Sequence, residues 1–355
     1  MHSDLPDADR EWCHEAVQDV SRTFALTVEV LDEPMATRIC VGYLLCRVAD
    51  TIEDAGHIPP DEQRRLLASY EAAIDPDDAT TMPAFRDAVD EHLPPADDRN
   101  DDWRVLAKAS TIWATFQQQP ESVRAAIRPS VREMVAGMAE FIDRHADSGG
   151  LRIANREELE EYCHYAAGTV GTLVTRLLTR GEVDHDDADR MAATSEEFGL
   201  LLQLINVAKD VHDDFREENN VYLPTEWLTE EGVDPEEVLD PANREGAARV
   251  VRRTADHAAG YLDDAQTYLE AMPLVEGNTL AAWGVPYLLG VGTLRELRER
   301  PADALTETGV KVDREEVFAV VAALEGATDR DVLDELRSTI AEQPLHHATV
   351  EPHQS

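Results

Sequence analysis

Apolar residues recur at intervals of three and four along nearly all of this chain, and no run of strictly alternating β-branched residues interrupts them. That period belongs to amphipathic helices, so the pattern predicts an all-α protein. Proline and glycine place the breaks. His57-Ile58-Pro59-Pro60 closes one helix, loop formers gather between Pro76 and Asp102, and Asp147-Ser148-Gly149-Gly150 ends another helix. Helix follows helix with few long linkers, which predicts one large helical domain over residues 1–340 and a flexible polar tail over 341–355.

Two segments depart from the one-sided pattern. Ile39 to Ala49 (ICVGYLLCRVA) and Phe198 to Ala208 (FGLLLQLINVA) are apolar nearly all round, the mark of helices buried at the centre of a bundle. Each runs into acidic residues, Asp50-Thr51-Ile52-Glu53-Asp54 after the first and Asp210-Val211-His212-Asp213-Asp214 after the second. Both clusters set acids at i, i+3 and i+4, which a helix projects from one face. In so acidic a chain that spacing arises about three times by composition alone, and a solvated helix face is the plainer reading. Context reverses it. At about 100° per residue, Tyr43, Arg47, Asp50 and Asp54 share an arc of about 60°, one polar stripe on an otherwise apolar helix. Gln203, Asn206, Asp210 and Asp214 share about 80° on the second. Carboxylates kept in apolar surroundings without partners are too costly to retain, so two facing acidic stripes imply bound cations. An all-oxygen donor set without a Cys/His cluster favours Mg²⁺, whose natural guest is a diphosphate. His212 falls about 160° away from Asp214 and is expected at the surface or behind the ligands.

Composition then limits the setting. The 73 acidic against 32 basic residues leave a net charge of −41, spread along the chain and not gathered in one tail, with Lys nearly absent beside Arg. Such a surface repels nucleic acid and anionic lipid. It reads as adaptation to high salt, where a Debye length of roughly 3 Å at 1 M removes most of the self-repulsion. Cys13, Cys40, Cys46 and Cys163 show no metal-binding spacing and are expected as core residues, with neither disulfide nor zinc. The N-terminus lacks a basic region followed by an apolar run, and no stretch approaches about 18 uninterrupted apolar residues, which predicts a cytoplasmic protein without a membrane anchor.

The motifs DTIED at 50–54 and DVHDD at 210–214 resemble the paired aspartate-rich motifs, of the DTxED and DxxED types, of the squalene and phytoene synthase family. SRTFAL at 21–26, YCHYAAGTVGTLVTRLL at 162–178 and EFGLLLQLINVAKDVHDD at 197–214 agree in order, so the resemblance covers most of the chain. It implies an isoprenoid synthase bundle with a central apolar cavity, in which Asp50, Glu53, Asp54, Asp210, Asp213 and Asp214 hold Mg²⁺ directly or through water. It implies that Arg22 and Arg47 bind phosphate oxygens, for which the guanidinium fork is suited. Ser21, Tyr43, Gln203 and Asn206 would line the diphosphate end, and Tyr162 would handle a proton or stabilise a cation. Gly168 and Gly171 leave room on their helix for either a ligand or a neighbouring helix. The chain also departs from the family, whose members commonly carry an arginine shortly before the aromatic-Leu/Trp-Pro stretch. Here REENNVYLP has Asn219 and Asn220, which leaves that phosphate contact to Arg216 or Lys209, or removes it.

The reaction implied is head-to-head condensation of two farnesyl diphosphates to presqualene diphosphate. Squalene-type members then reduce this intermediate with NADPH, whereas phytoene and dehydrosqualene synthases lose a proton instead. YCHY, AAWGVPYLLGVGTL at 281–294 and GVKVDREE at 309–316 resemble the squalene-type branch, in which Lys311 would meet an NADPH phosphate, although Asp313 stands where that branch has a basic residue. No G-x-G-x-x-G strand-to-helix unit is present, so the nicotinamide would bind in a non-Rossmann manner. The end of the chain, AEQPLHHATVEPHQS, is short and polar, which leaves product release to transient membrane contact or a carrier. Three other readings stay open: a phytoene synthase taking C20 substrates, a non-catalytic isoprenoid-binding protein, and an acidic interaction scaffold.

Overall fold

The structure, a computed structural model, describes residues 5–181 and 183–348. Its helices are α1 (Leu5–Val20), α2 (Arg22–Glu29), α3 (Met35–Glu53), α4 (Pro60–Ile74), α5 (Met82–Val89), α6 (Asp101–Ala107), α7 (Ala109–Gln117), α8 (Glu121–Arg144) and α9 (Arg156–Cys163). They continue with α10 (Thr169–Leu178), α11 (His185–Lys209), α12 (Val211–Asp213), α13 (Thr225–Glu230), α14 (Arg244–Ala258), α15 (Leu262–Ala271), α16 (Leu280–Glu299), α17 (Arg314–Leu324) and α18 (Asp331–Glu342). No strand occurs among the described residues; an isolated parallel bridge joins Arg152 to Val221. The all-α expectation therefore holds. Pro59 and Pro60 open α4 as well as closing the segment before it, because the first turn of a helix has no use for the missing N–H.

The two segments that are apolar all round become the axis of the bundle. α3 packs against α1, α4, α6, α7 and α8, while α11 packs against α10, α14, α15 and α16. Their buried faces join one continuous apolar core, which also takes in Cys13, Cys40, Cys46 and Cys163 as free thiols. A core helix must still satisfy the carbonyls of its last turn. At the end of α3 the buried Gln63 does this, its amide donating to the carbonyls of Ile52 and Glu53 at 2.8 Å each. The first acidic cluster is thus anchored from behind by α4.

α10 crosses α11 closely because glycines meet there. A Cβ on Gly171 would stand 2.0 Å from the Ser195 carbonyl oxygen, and one on Gly199 would stand 2.4 Å from that of Ala167. Helix contact, then, accounts for the absent side chain at Gly171. Because the obstructing atoms are backbone, Gly199→Ala should cost roughly 1–3 kcal/mol. Urea unfolding in molar salt would read this as a lower midpoint at unchanged slope, and an unchanged midpoint would show that the crossing tolerates a methyl group.

The C-terminal helices lock onto α16 through a buried ion pair. Arg295 donates to both oxygens of Glu316, at 3.0 and 2.8 Å, and to the Ile340 carbonyl at 2.7 Å. α18 runs through Glu342, and the backbone N–H of Leu345 donates to Glu316 at 3.2 Å, so the first part of the polar end is held. Residues 349–355 lie outside the described residues.

Candidate active site

The C-terminal end of α3 and the chain leaving α11 meet at one end of a cavity of about 680 Å³. Its apolar wall includes Phe24, Val174, Phe198, Leu202, Trp283 and Leu289. Its polar end carries Asp50 and Asp54 from α3, with Asp210, Asp214 and Glu218 from the other side. Cavities of roughly 300–1,000 Å³ are the size that encloses a small ligand.

Ligand oxygens of Asp50, Glu53 and Asp54 lie within 4.8 Å of one another. Glu53 is 6% exposed, and neither of its carboxylate oxygens has a hydrogen-bond partner. Burial, then the charges of Asp54 and Asp50, push its carboxyl well above the usual carboxylate range. Asp54 is raised in the same direction by burial, Asp50 and Glu218, and Asp214 by burial and Asp210. Burial and Asp214 push Glu218 up to about 8. Groups so placed favour either a proton or a cation, and unpartnered buried oxygens within one coordination sphere fit a hard divalent ion such as Mg²⁺.

Most of the residues singled out in the sequence reach this end of the cavity. Ser21, Tyr43, Arg47, Gln203 and Asn206 line it together with Asp50, Asp54, Asp210 and Asp214. Ser21 also caps α2, its Oγ accepting from the Phe24 N–H at 3.2 Å, and Tyr43 stacks on Phe24 with ring centroids 4.1 Å apart. Arg47 contacts Asp50 and donates from Nε to Asp102 at 2.8 Å, so its guanidinium faces carboxylates. Lys209 lines the cavity and contacts Asp210, whereas Arg216 is exposed and outside the lining. Asp213 points away, 62% exposed, with His212 Nδ1 at 2.8 Å. Arg22 begins α2, and its side chain lies outside the described residues. Lys311 is exposed and outside the cavity lining, and its neighbour Val312 packs over Gly292 of α16.

Tyr162 lies at the edge of the acidic end. It lies in the last turn of α9, which leads into a single π-helical turn over His164–Gly168, an irregularity often found where a helix serves a site. Its hydroxyl donates to that of Tyr222 at 3.2 Å, with the rings 4.8 Å apart. Burial, then the charge of Glu53, raises the Tyr162 phenol and keeps it protonated.

A family model described as squalene/phytoene synthase matches residues 17–316. The chain belongs to this family. The squalene synthase of Schizosaccharomyces pombe is 24% identical over 87% of this chain and 64% of its own length, and that of Homo sapiens is 25% identical over 83% and 65%. The match thus spans slightly under two thirds of these relatives. A solved structure of TcSQS with the ligand E5700 gives a TM-score of 0.78 at 22% identity, covering 94% of this chain and 90% of that one. A dehydrosqualene synthase in complex with ligand gives 0.60 at 19%, covering 95% and 98%. These structures establish the isoprenoid synthase bundle, and no helix among the described residues is long and apolar enough to cross a membrane.

In this member of the squalene/phytoene synthase family two residues of the cavity mouth escape a linear reading. Glu218 stands four residues beyond Asp214, so the Asp210–Asp214 interval repeated once more would have reached it. Tyr222 carries no such signal. It arrives because the segment after Asn219, which is in the left-handed conformation (φ 59°), is pinned to residues 149–154. Val221 N–H donates to the Leu151 carbonyl at 2.9 Å, and Leu151 N–H donates to Asn220 Oδ1 at 2.8 Å. Where family members commonly carry an arginine, Asn219 and Asn220 therefore hold backbone and side chains in place, while Lys209, immediately before the second motif, lines the cavity.

Proposed function

We propose that this protein condenses two farnesyl diphosphates head to head to presqualene diphosphate and reduces that intermediate with NADPH to squalene. The observation that carries the reading is the union of an apolar cavity with a carboxylate-lined mouth, beside which the buried Glu53 has no hydrogen-bond partner on either oxygen. A passive isoprenoid carrier would gain nothing from such charge.

Asp50, Glu53, Asp54, Asp210 and Asp214 would hold Mg²⁺, with Asp213 reaching it through water. When bound, the metal supplies charge neutralisation for a departing diphosphate. Arg47 and Lys209 add positive charge at the same end, and Gln203 and Asn206 offer amide donors to phosphate oxygens. The apolar wall, from Phe24 to Leu289, excludes water from a carbocation that water would quench. In the first half-reaction two C15 diphosphates give presqualene diphosphate, one diphosphate and one proton. Tyr162, protonated and bonded to Tyr222, stands at the polar end, where its oxygen can pass that proton toward the released diphosphate. In the second half-reaction a hydride from NADPH replaces the second diphosphate, giving squalene, diphosphate and NADP⁺. The contact of NADPH with Lys311 rests on the resemblance of the 309–316 segment.

Product analysis by mass spectrometry after incubation with farnesyl diphosphate, Mg²⁺ and molar KCl, with and without NADPH, tests this reading. Squalene is expected only with NADPH. Dehydrosqualene whether or not NADPH is present, or product only from a C20 diphosphate, would instead place the protein on the carotenoid branch.

A further inference from the structure

We infer that Glu218 is a further cation-binding carboxylate, placed by Asn220 at the seam between the two acidic clusters. The inference rests on reading those clusters as a cation site. Asp214–Glu218 forms one π-helical turn that ends at the left-handed Asn219. Within this turn Glu218 lines the cavity, while Arg216 and Glu217 are exposed and stand outside the lining. A Cβ on Gly56 would lie 3.6 Å from the Glu218 carbonyl oxygen, so the turn abuts the chain just beyond Asp54. Glu218 thus sits between the motif on α3 and the motif after α11.

The hydrogen bonding at this seam is one-sided. Glu218 Oε2 accepts from Asn220 Nδ2 at 3.2 Å, a neutral donor, and no cationic side chain among the described residues pairs with it. Asn220 is itself buried, and its amide is fixed on three sides. Its Oδ1 accepts from the Leu151 N–H at 2.8 Å, and its Nδ2 also donates to Tyr222 Oη at 3.0 Å. The carboxylate is therefore positioned by the fold and not left to solvent. On the α3 side stands Glu53, more than nine-tenths buried with both oxygens unpartnered, in one cluster with Asp50 and Asp54, which line the same cavity mouth as Glu218. Carboxylates of one cavity mouth that lack a cationic partner are satisfied by a divalent cation, which takes about six oxygen ligands from side chains and water together.

Mn²⁺ with inorganic diphosphate, followed by the electron paramagnetic resonance of free Mn²⁺ in molar KCl, tests this without any turnover. Glu218→Gln should weaken Mn²⁺ binding about tenfold or more, while Glu217→Gln, which removes the same charge from an exposed neighbour, should leave it within about twofold. Glu218→Asp, charged but one methylene shorter, should fall between the two. Equal affinity in Glu218→Gln, equal losses in both glutamine variants, or no Mn²⁺ binding by the unaltered protein would overturn the assignment. The thermal midpoint of metal-free Glu218→Gln should not fall below that of the unaltered protein, which separates a lost ligand from a lost fold. Weakened Mn²⁺ binding in a protein that forms no prenyl product would retain Glu218 as a ligand and remove the squalene reading instead.

Discussion

Asp54→Asn should lower the rate of diphosphate release from farnesyl diphosphate about 10²–10³-fold at saturating Mg²⁺, the loss typical when one preorganised charge partner leaves a dry site. Asp54 is the acid on which both clusters converge. Burial comes first among the influences on it, followed by the charges of Asp50, Glu218 and Asp214, and only Arg47 acts in the opposite sense. The same environment makes the fold indifferent to the change. A carboxyl whose pKa is raised on folding contributes stability while protonated and loses it as pH rises through the folded value, so at neutral pH its ionised form is a burden on the metal-free protein. The thermal midpoint of metal-free Asp54→Asn should therefore match or exceed that of the unaltered protein. Steady-state diphosphate release and a thermal melt of the same preparation check both statements. A rate within threefold of the unaltered protein would remove Asp54 from the chemistry, and a collapsed melting point would assign the lost rate to folding.

Transfer from 2 M to 0.1 M KCl should lower the thermal midpoint by more than about 10 °C, the shift produced by a loss of several kcal/mol in a chain of this size. Many of the arginines already lie against carboxylates, including those of Arg144 with Glu140, Glu158 and Glu161, and of Arg132 with Glu71 and Asp75. With 73 acids against 32 bases, pairing each base once still leaves 41 acidic charges without a partner. Their repulsion is screened over roughly 3 Å in 1 M salt but reaches about 10 Å in 0.1 M. Differential scanning calorimetry across a KCl series reads the effect, and a midpoint independent of salt would sink the high-salt interpretation of the composition.

The two buried helices and their acidic ends were legible along the chain because both signals are local. A helix that is apolar all round has no other stable position than the centre of a bundle, and α3 and α11 occupy it. Carboxylates four residues apart share a face whatever surrounds them, so Asp50 with Asp54 and Asp210 with Asp214 could be paired before any tertiary contact was known. The helical wheel continued less well beyond Lys209. α11 stops there, a short turn follows, and a π-helical turn begins at Asp214, so the ideal increment of about 100° per residue no longer applies. Asp213 and Asp214 point apart, as adjacent helical positions do, the first toward solvent and the second into the cavity mouth.

By itself, then, the sequence determined the all-helical class, the central helices, the two acidic motifs and the family, all properties carried by spacing within single segments. Only the tertiary structure decided that Glu53 has no partner, that Arg47 rests against Asp102, and that Tyr222 and Glu218 join Tyr162 and the aspartates. Each of these depends on contacts between residues far apart in the chain, such as the pinning of Val221 to Leu151. No periodicity within one segment encodes them, because they arise from the packing of one segment on another.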